Sequence, residues 1–102
     1  MTTPPTLSTG QKRYLRGLAH ALRPIILVGG KGVSDALIAE LDQALTHHEL
    51  LKVKLAAGER GLRDAWIAEL TTRTGSTAVQ RVGNTAALYR PNRERARIVL
   101  PR

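Results

Sequence analysis

Four residues, Gly29-Gly30-Lys31-Gly32, stand out as a place for chemistry. An apolar run, Ile25-Ile26-Leu27-Val28, leads into them, and a helix-like pattern follows. Strand, glycine-rich turn and helix in that order can hold a phosphate, because backbone N–H groups and the positive end of the helix dipole converge there. Two nucleotide-binding patterns can be tested against these residues. A P-loop needs GxxxxGK[ST], with a hydroxyl after the lysine to reach Mg²⁺; here Gly32 follows Lys31. A dinucleotide fingerprint needs GxGxxG/A. Counted from Gly30, its last position falls on Asp35, whose charge opposes a pyrophosphate. Both patterns fail.

A Gly-x-x-Gly turn, 29–32, is what is left. Glycine at both ends allows positive φ and close approach of the backbone to a phosphate. Lys31 at the tip adds a charge. KH domains clamp four backbone nucleotides with a loop of this kind. The competing reading is a tight turn and nothing more. Other candidate chemistry is thin. His47-His48-Glu49 suggests a metal, but adjacent side chains point apart and no further ligand sits at metal-binding spacing. Two histidines at a helix C-terminus, facing solvent and the dipole, are the simpler reading. Ser34 has no base beside it, and Asp35, Glu40 and Asp42 read as ordinary helix surface. No catalysis, metal or cofactor is expected.

The charged residues form three clusters: Lys12, Arg13 and Arg16 on the first helix; Lys52 and Lys54 on one face of a strand; and Arg90, Arg93, Arg95 and Arg97 in the C-terminal tail. His20 lies with the first cluster and either touches phosphate or caps a helix end. Together with the glycine turn, the clusters could make one surface.

These residues need elements to position them. Residues 1–7 are Pro/Thr-rich and are expected to be disordered. Ser8 or Thr9 caps a helix running to about Leu22, with Leu15, Leu18, Ala19 and Leu22 on one face. Pro24 forbids its continuation. Residues 25–28 are apolar without alternation, which predicts a strand covered on both faces or central in its sheet. A second helix runs from about Ser34 to Thr46, with a stripe of Val33, Ala36, Leu37, Leu41, Ala44 and Leu45; Asp35 and Asp42 mark its outer face. Residues 49–55 alternate as a half-buried strand. A third helix, about 59–73, buries Leu62, Ala65, Trp66 and Leu70, and Gly75 stops it. Strands at 77–82 and 85–90 are joined by Gly83-Asn84, a hairpin signal. The order α-β-α-β-α-β-β predicts one α/β domain, a two-layer sandwich with a mixed four-stranded sheet.

Bulk composition narrows the function. The chain has 102 residues, suited to a single domain. Sixteen Lys and Arg face eight Asp and Glu, for a net charge of +8. A compact domain this basic points to a polyanionic partner rather than a small-molecule substrate. Duplex DNA in a chromatin-type protein and RNA both satisfy that. Aromatics are limited to Tyr14, Trp66 and Tyr89, so backbone and shape should outweigh base stacking. There is no cysteine, which rules out disulfides and thiol chemistry. No signal peptide or membrane span is expected, so the sequence points to the cytoplasm.

The stretch "QKRYLRGLAHALRPIILVGGKGVSDALIAELDQALTHHELLKVKL", with "VGNTAALYRP" near the end, resembles the CRM (chloroplast RNA splicing and ribosome maturation) domain, and most of all its stand-alone bacterial form, the YhbY-like proteins. LxGLAHxLxP, the GxxG turn, HHELLKVK and LYRP occur in order at fitting distances, and the resemblance covers residues 8–102. It implies a single domain similar to the C-terminal domain of translation initiation factor 3. It implies RNA binding through Gly29-Gly30-Lys31-Gly32 and neighbouring basic residues, association with ribosomal RNA in precursors of the large subunit, and no enzymatic activity. A monomer without a membrane partner is expected.

Overall fold

A computed structural model describes residues 6–92, 94 and 96–102. Its elements are α1 (Thr9–Ala19), β1 (Pro24–Val28), α2 (Asp35–His48), β2 (Leu50–Leu55), α3 (Arg60–Thr74), β3 (Thr77–Val82) and β4 (Thr85–Tyr89). The strands form one sheet in the order β1-β2-β4-β3. β1 runs parallel to β2, and the other two pairings are antiparallel. The expected mixed four-stranded sheet is therefore present. The β3–β4 hairpin turns at Gly83, whose φ of 58° suits a residue without Cβ.

The sheet separates two apolar clusters. On one face, α2 and α3 set Leu41, Leu45, Trp66 and Leu70 against Ile26, Val28, Leu51, Val53, Leu55, Ala86 and Leu88. On the other, α1 sets Leu15 and Ala19 against Leu50, Val79, Ala87 and Tyr89, and the tail adds Ile98 and Leu100. Strand alternation produces the division: Leu51, Val53 and Leu55 point one way, while Lys52 and Lys54 point the other.

Local chemistry sets the helix ends. Ser8 and Gln11 make a reciprocal capping box at the start of α1. The Ser34 hydroxyl accepts from the Leu37 N–H at the start of α2. Gly75, at φ 70°, closes α3 in the left-handed conformation.

Four expectations are corrected. The first helix ends at Ala19, not Leu22; Leu18 and Leu22 are exposed, and the chain is already turning toward Pro24. The apolar strand is neither central nor doubly covered: β1 is a sheet edge, and Ile25 and Leu27 face outward at 52% and 58% exposure. Among the described residues no helix lies over that corner of the sheet. On α3, Leu62 and Ala65 are exposed, and the buried stripe is Trp66, Leu70 and Thr74. Ala36 of α2 is likewise exposed, whereas Ile38 packs on the core.

Candidate nucleic-acid interface

β1 delivers the chain to the glycine turn. Val28 is fully buried and fixes the exit. The Gly32 N–H donates to the Gly29 carbonyl at 2.9 Å, closing a four-residue turn with Lys31 exposed at its tip. The glycines have different reasons to be there. Gly32 has φ 81°, and a Cβ on it would lie 3.1 Å from Trp66 Nε1. It is a structural glycine seated on the indole of α3. Gly29 and Gly30 have no positive φ, and a Cβ on either would meet nothing within 4 Å. The expectation that both ends of the turn need positive φ thus holds for Gly32 and not for Gly29. The fold accepts a side chain at Gly29 and Gly30, so their bareness leaves room outside the protein.

The end of α2 contributes less than the sequence suggests. Ser34 already caps it, and Asp35 brings a carboxylate into its first turn. Asp35 pairs with Arg73 at 2.7 Å. The hydrogen bonds that its guanidinium donates to Asp35, and then to Glu69, raise Arg73 above its ordinary value, so that it stays charged.

The basic residues lie along the face opposite α2 and α3. Lys54 pairs with Leu27, two residues before Gly29. Lys52 lines a shallow hollow of about 510 Å³ with His20, Pro24, Gln80, Val82 and Thr85. His20 is the C-cap of α1, so the helix meets the lysine strand at this hollow. Lys12, Arg13 and Arg16 continue along α1; Arg13 is exposed and the other two are half-buried. The structure thus brings the end of α1, Lys52 and Lys54 together on one side of the sheet, and the turn follows at its margin, two residues beyond Leu27.

Charge is divided by the sheet. No carboxylate occurs before Asp35 in the sequence. Asp35, Glu40 and Asp42 ride on α2; Glu59, Asp64 and Glu69 belong to α3 and its cap. Of the other two, Glu49 is buried and Glu94 lies in the tail. Neither α1 nor the hollow carries a carboxylate, although the tail that packs beside α1 brings Glu94; a basic strip of this kind suits a polyanion.

The tail behaves differently from the other clusters. Arg90 is only 13% exposed at its side chain. Its guanidinium donates to the Asp42 carboxylate, the Asp42 and Thr74 carbonyls and the Thr46 hydroxyl. Those bonds pin β4 to α2 and leave the guanidinium no geometry for an outside ligand. Arg93 and Arg95 lie outside the described residues. Arg97 donates from its side chain to the His47 carbonyl at 3.0 Å.

Sequence reasoning missed Glu49. It is fully buried, adopts φ 63°, and its carboxylate accepts from the backbone N–H groups of Asn92, Arg97 and Ile98. A non-glycine residue in left-handed geometry is held there by surrounding bonds. Nothing local marks the role, since the partners lie more than forty residues away. Burial, followed by the Glu49 charge, raises the Tyr89 phenol above its ordinary value. Trp66 is buried as the sequence indicates, and His47 and His48 are both exposed at the end of α2. Among the described residues no group of three His, Cys, Asp or Glu could hold a metal, and no helix is long and apolar enough to cross a membrane.

The fold is thus a mixed sheet with a basic strip on its α1 side and a glycine turn at its margin. Residues 7–90 match the CRS1/YhbY (CRM) domain, and the chain belongs to that family. A Haemophilus influenzae protein named "RNA-binding protein" is 45% identical over 95% of this chain and 97% of its own length. A "Probable RNA-binding protein" of Bacillus subtilis is 38% identical over 93% of this chain and 99% of its own. The solution structure of a hypothetical protein from Staphylococcus aureus superposes with a TM-score of 0.81 at 34% identity, covering 94% of this chain and 100% of that one.

Proposed function

We propose that this protein is a non-catalytic RNA-binding protein that holds backbone phosphates at Gly29-Gly30-Lys31-Gly32. The observation that carries this reading is the open space at Gly29 and Gly30, where the fold itself has no need of glycine. Lys31 supplies charge at the tip, and Lys12, Arg13, Arg16, Lys52 and Lys54 widen the footprint along the α1 side. Arg90 acts within the fold. The names of the relatives favour RNA as the polyanion. The resemblance of the sequence to the stand-alone bacterial CRM proteins favours ribosomal RNA in large-subunit precursors, met by a monomer in the cytoplasm.

Titrating labelled ribosomal RNA fragments at several salt concentrations tests the reading. If about five phosphates are neutralised, log affinity falls against log salt with a slope of roughly −3.5 to −4.5. Lys31→Glu weakens binding while the melting temperature holds. Affinity independent of salt, or full competition by duplex DNA at matched salt, would sink it. Sedimentation of a lysate with and without RNase tests the ribosomal part: co-migration with large-subunit particles that survives RNase refutes direct RNA attachment.

A further inference from the structure

The corner of the sheet left open by α1 is apolar where a purely electrostatic surface has no reason to be. On edge strand β1, Ile25 and Leu27 point out to solvent; on the opposite edge, Val82 is 65% exposed. Lys54 lies in the row between Leu27 and Thr85, and Val82 follows beside Thr85. Lys52 lies in the adjoining row, between Pro24 and Ala87. Each edge strand carries an irregularity, and the one on β3 adds to this face. The register shifts between Pro24 and Ile26 on β1 and between Ala78 and Gln80 on β3. The second shift turns both Val79 and Gln80 to the same side: Val79 packs under α1, and Gln80 reaches the hollow. The hollow thus combines an amide, a hydroxyl, two apolar walls from Pro24 and Val82, and the cationic Lys52 beside His20.

We infer that this open corner takes unpaired RNA nucleotides, bases against Ile25, Leu27 and Val82 and phosphates toward Lys52 and Lys54. The inference rests on the RNA-binding reading above and names the form of RNA that it favours. Charge complementarity selects the occupant: exposed apolar side chains flanked by lysines, with no carboxylate lining the hollow or its strand rows, suit a ligand that is apolar in part and anionic throughout. A duplex hides its base faces and would meet the lysines alone, whereas an unpaired strand presents both parts. The Gln80 amide and Thr85 hydroxyl can each donate to and accept from a base edge. The corner also continues into the glycine turn. Pro24 to Gly29 is five residues of strand, a path of about 17 Å, so one strand of RNA can lie on the sheet and reach Lys31.

The test compares a labelled 12-nucleotide single-stranded RNA with a 12-base-pair RNA duplex, on the full chain. Ile25→Ser/Leu27→Ser removes apolar surface and no charge. It is expected to weaken single-strand binding about tenfold, leave duplex binding within twofold, and leave the salt slope of both unchanged. Val82→Ser on the other edge repeats the test should the double variant fold poorly. Leu62→Ser, on the outer side of α3, is the control and should change neither affinity. Equal loss on both RNAs, or wild-type affinity of both Ile25→Ser/Leu27→Ser and Val82→Ser for the single strand, overturns the inference. The parent reading is judged separately: it fails if Lys31→Glu weakens neither RNA.

Discussion

The two faces of this sheet are built from similar strands and serve opposite ends. The face under α2 and α3 is closed, with Leu41, Leu45, Val53, Leu55 and Leu70 fully buried. Six carboxylates on those helices and the α3 cap offset their arginines, and several are committed to ion pairs: Asp35 and Glu69 with Arg73, Asp42 with Arg90, Asp64 with Arg81. The other face is closed at one end by α1 and the tail and open at the other, and the charged groups of α1 and of the open end are cations. One face is where stability is concentrated; the other gives up apolar burial at Ile25, Leu27 and Val82. A domain of this size has little stability to give up, so an open apolar corner is a feature that needs a partner to account for it.

The largest effect that would break this contrast is in the closed face. Leu45→Ala removes a fully buried side chain from between α2 and the sheet and should cost about 2–5 kcal/mol. Leu27→Ala, on the open face, should stay within about 0.5 kcal/mol. Thermal unfolding of the two variants checks this; comparable losses would mean that the open corner is packed in solution. Next in size is the clip that holds the tail. Glu49→Gln removes the charge and turns one carboxylate oxygen into a donor facing backbone N–H groups. The expected cost is about 2–3 kcal/mol, a fall in Tm of about 10–20 °C. Amide exchange at Asn92, Arg97 and Ile98 should accelerate ahead of global unfolding. If those amides keep their protection, the tail is held by Ile98 and Leu100 and not by the carboxylate.

How far the sequence revealed this arrangement depends on how local each cause is. Ser8, Gly75 and Gly83-Asn84 act over a few residues, and each marks the boundary it was expected to mark. The alternation of Lys52 and Lys54 against Leu51, Val53 and Leu55 predicted the two-faced strand, and the apolar stripe of α3 placed Trp66 in the core. The misreadings all concern tertiary placement. An unbroken apolar run reads as a covered strand, but whether anything covers it depends on where α1 lands, sixty residues from β3. Arg90 looked like part of a basic cluster and Glu49 like the start of a strand, because their partners are distant in sequence. In the candidate site, the Gly-x-x-Gly pattern was legible; that its glycines divide into structural and bare was not, because Trp66 comes from another helix.

The smallest effect sharpens the contrast inside one turn. Gly32→Ala forces a left-handed φ on a residue with Cβ and presses that carbon on the Trp66 indole. A cost of about 1–2 kcal/mol is expected, with a change in Trp66 fluorescence. Gly30→Ala meets neither obstacle. Its stability should hold or rise slightly, by up to about 1 kcal/mol, because alanine restricts the unfolded chain more than glycine does. RNA affinity should move the other way, falling for Gly30→Ala because the added methyl group occupies the space left for a phosphate. Measuring Tm and RNA affinity on both variants separates the two roles. A Gly30→Ala protein that is stable and binds RNA as the wild type does would remove the turn from the interface and leave the lysine face to account for binding. A Gly30→Ala protein as unstable as Gly32→Ala would make the whole turn a structural device, and the difference between its glycines would disappear.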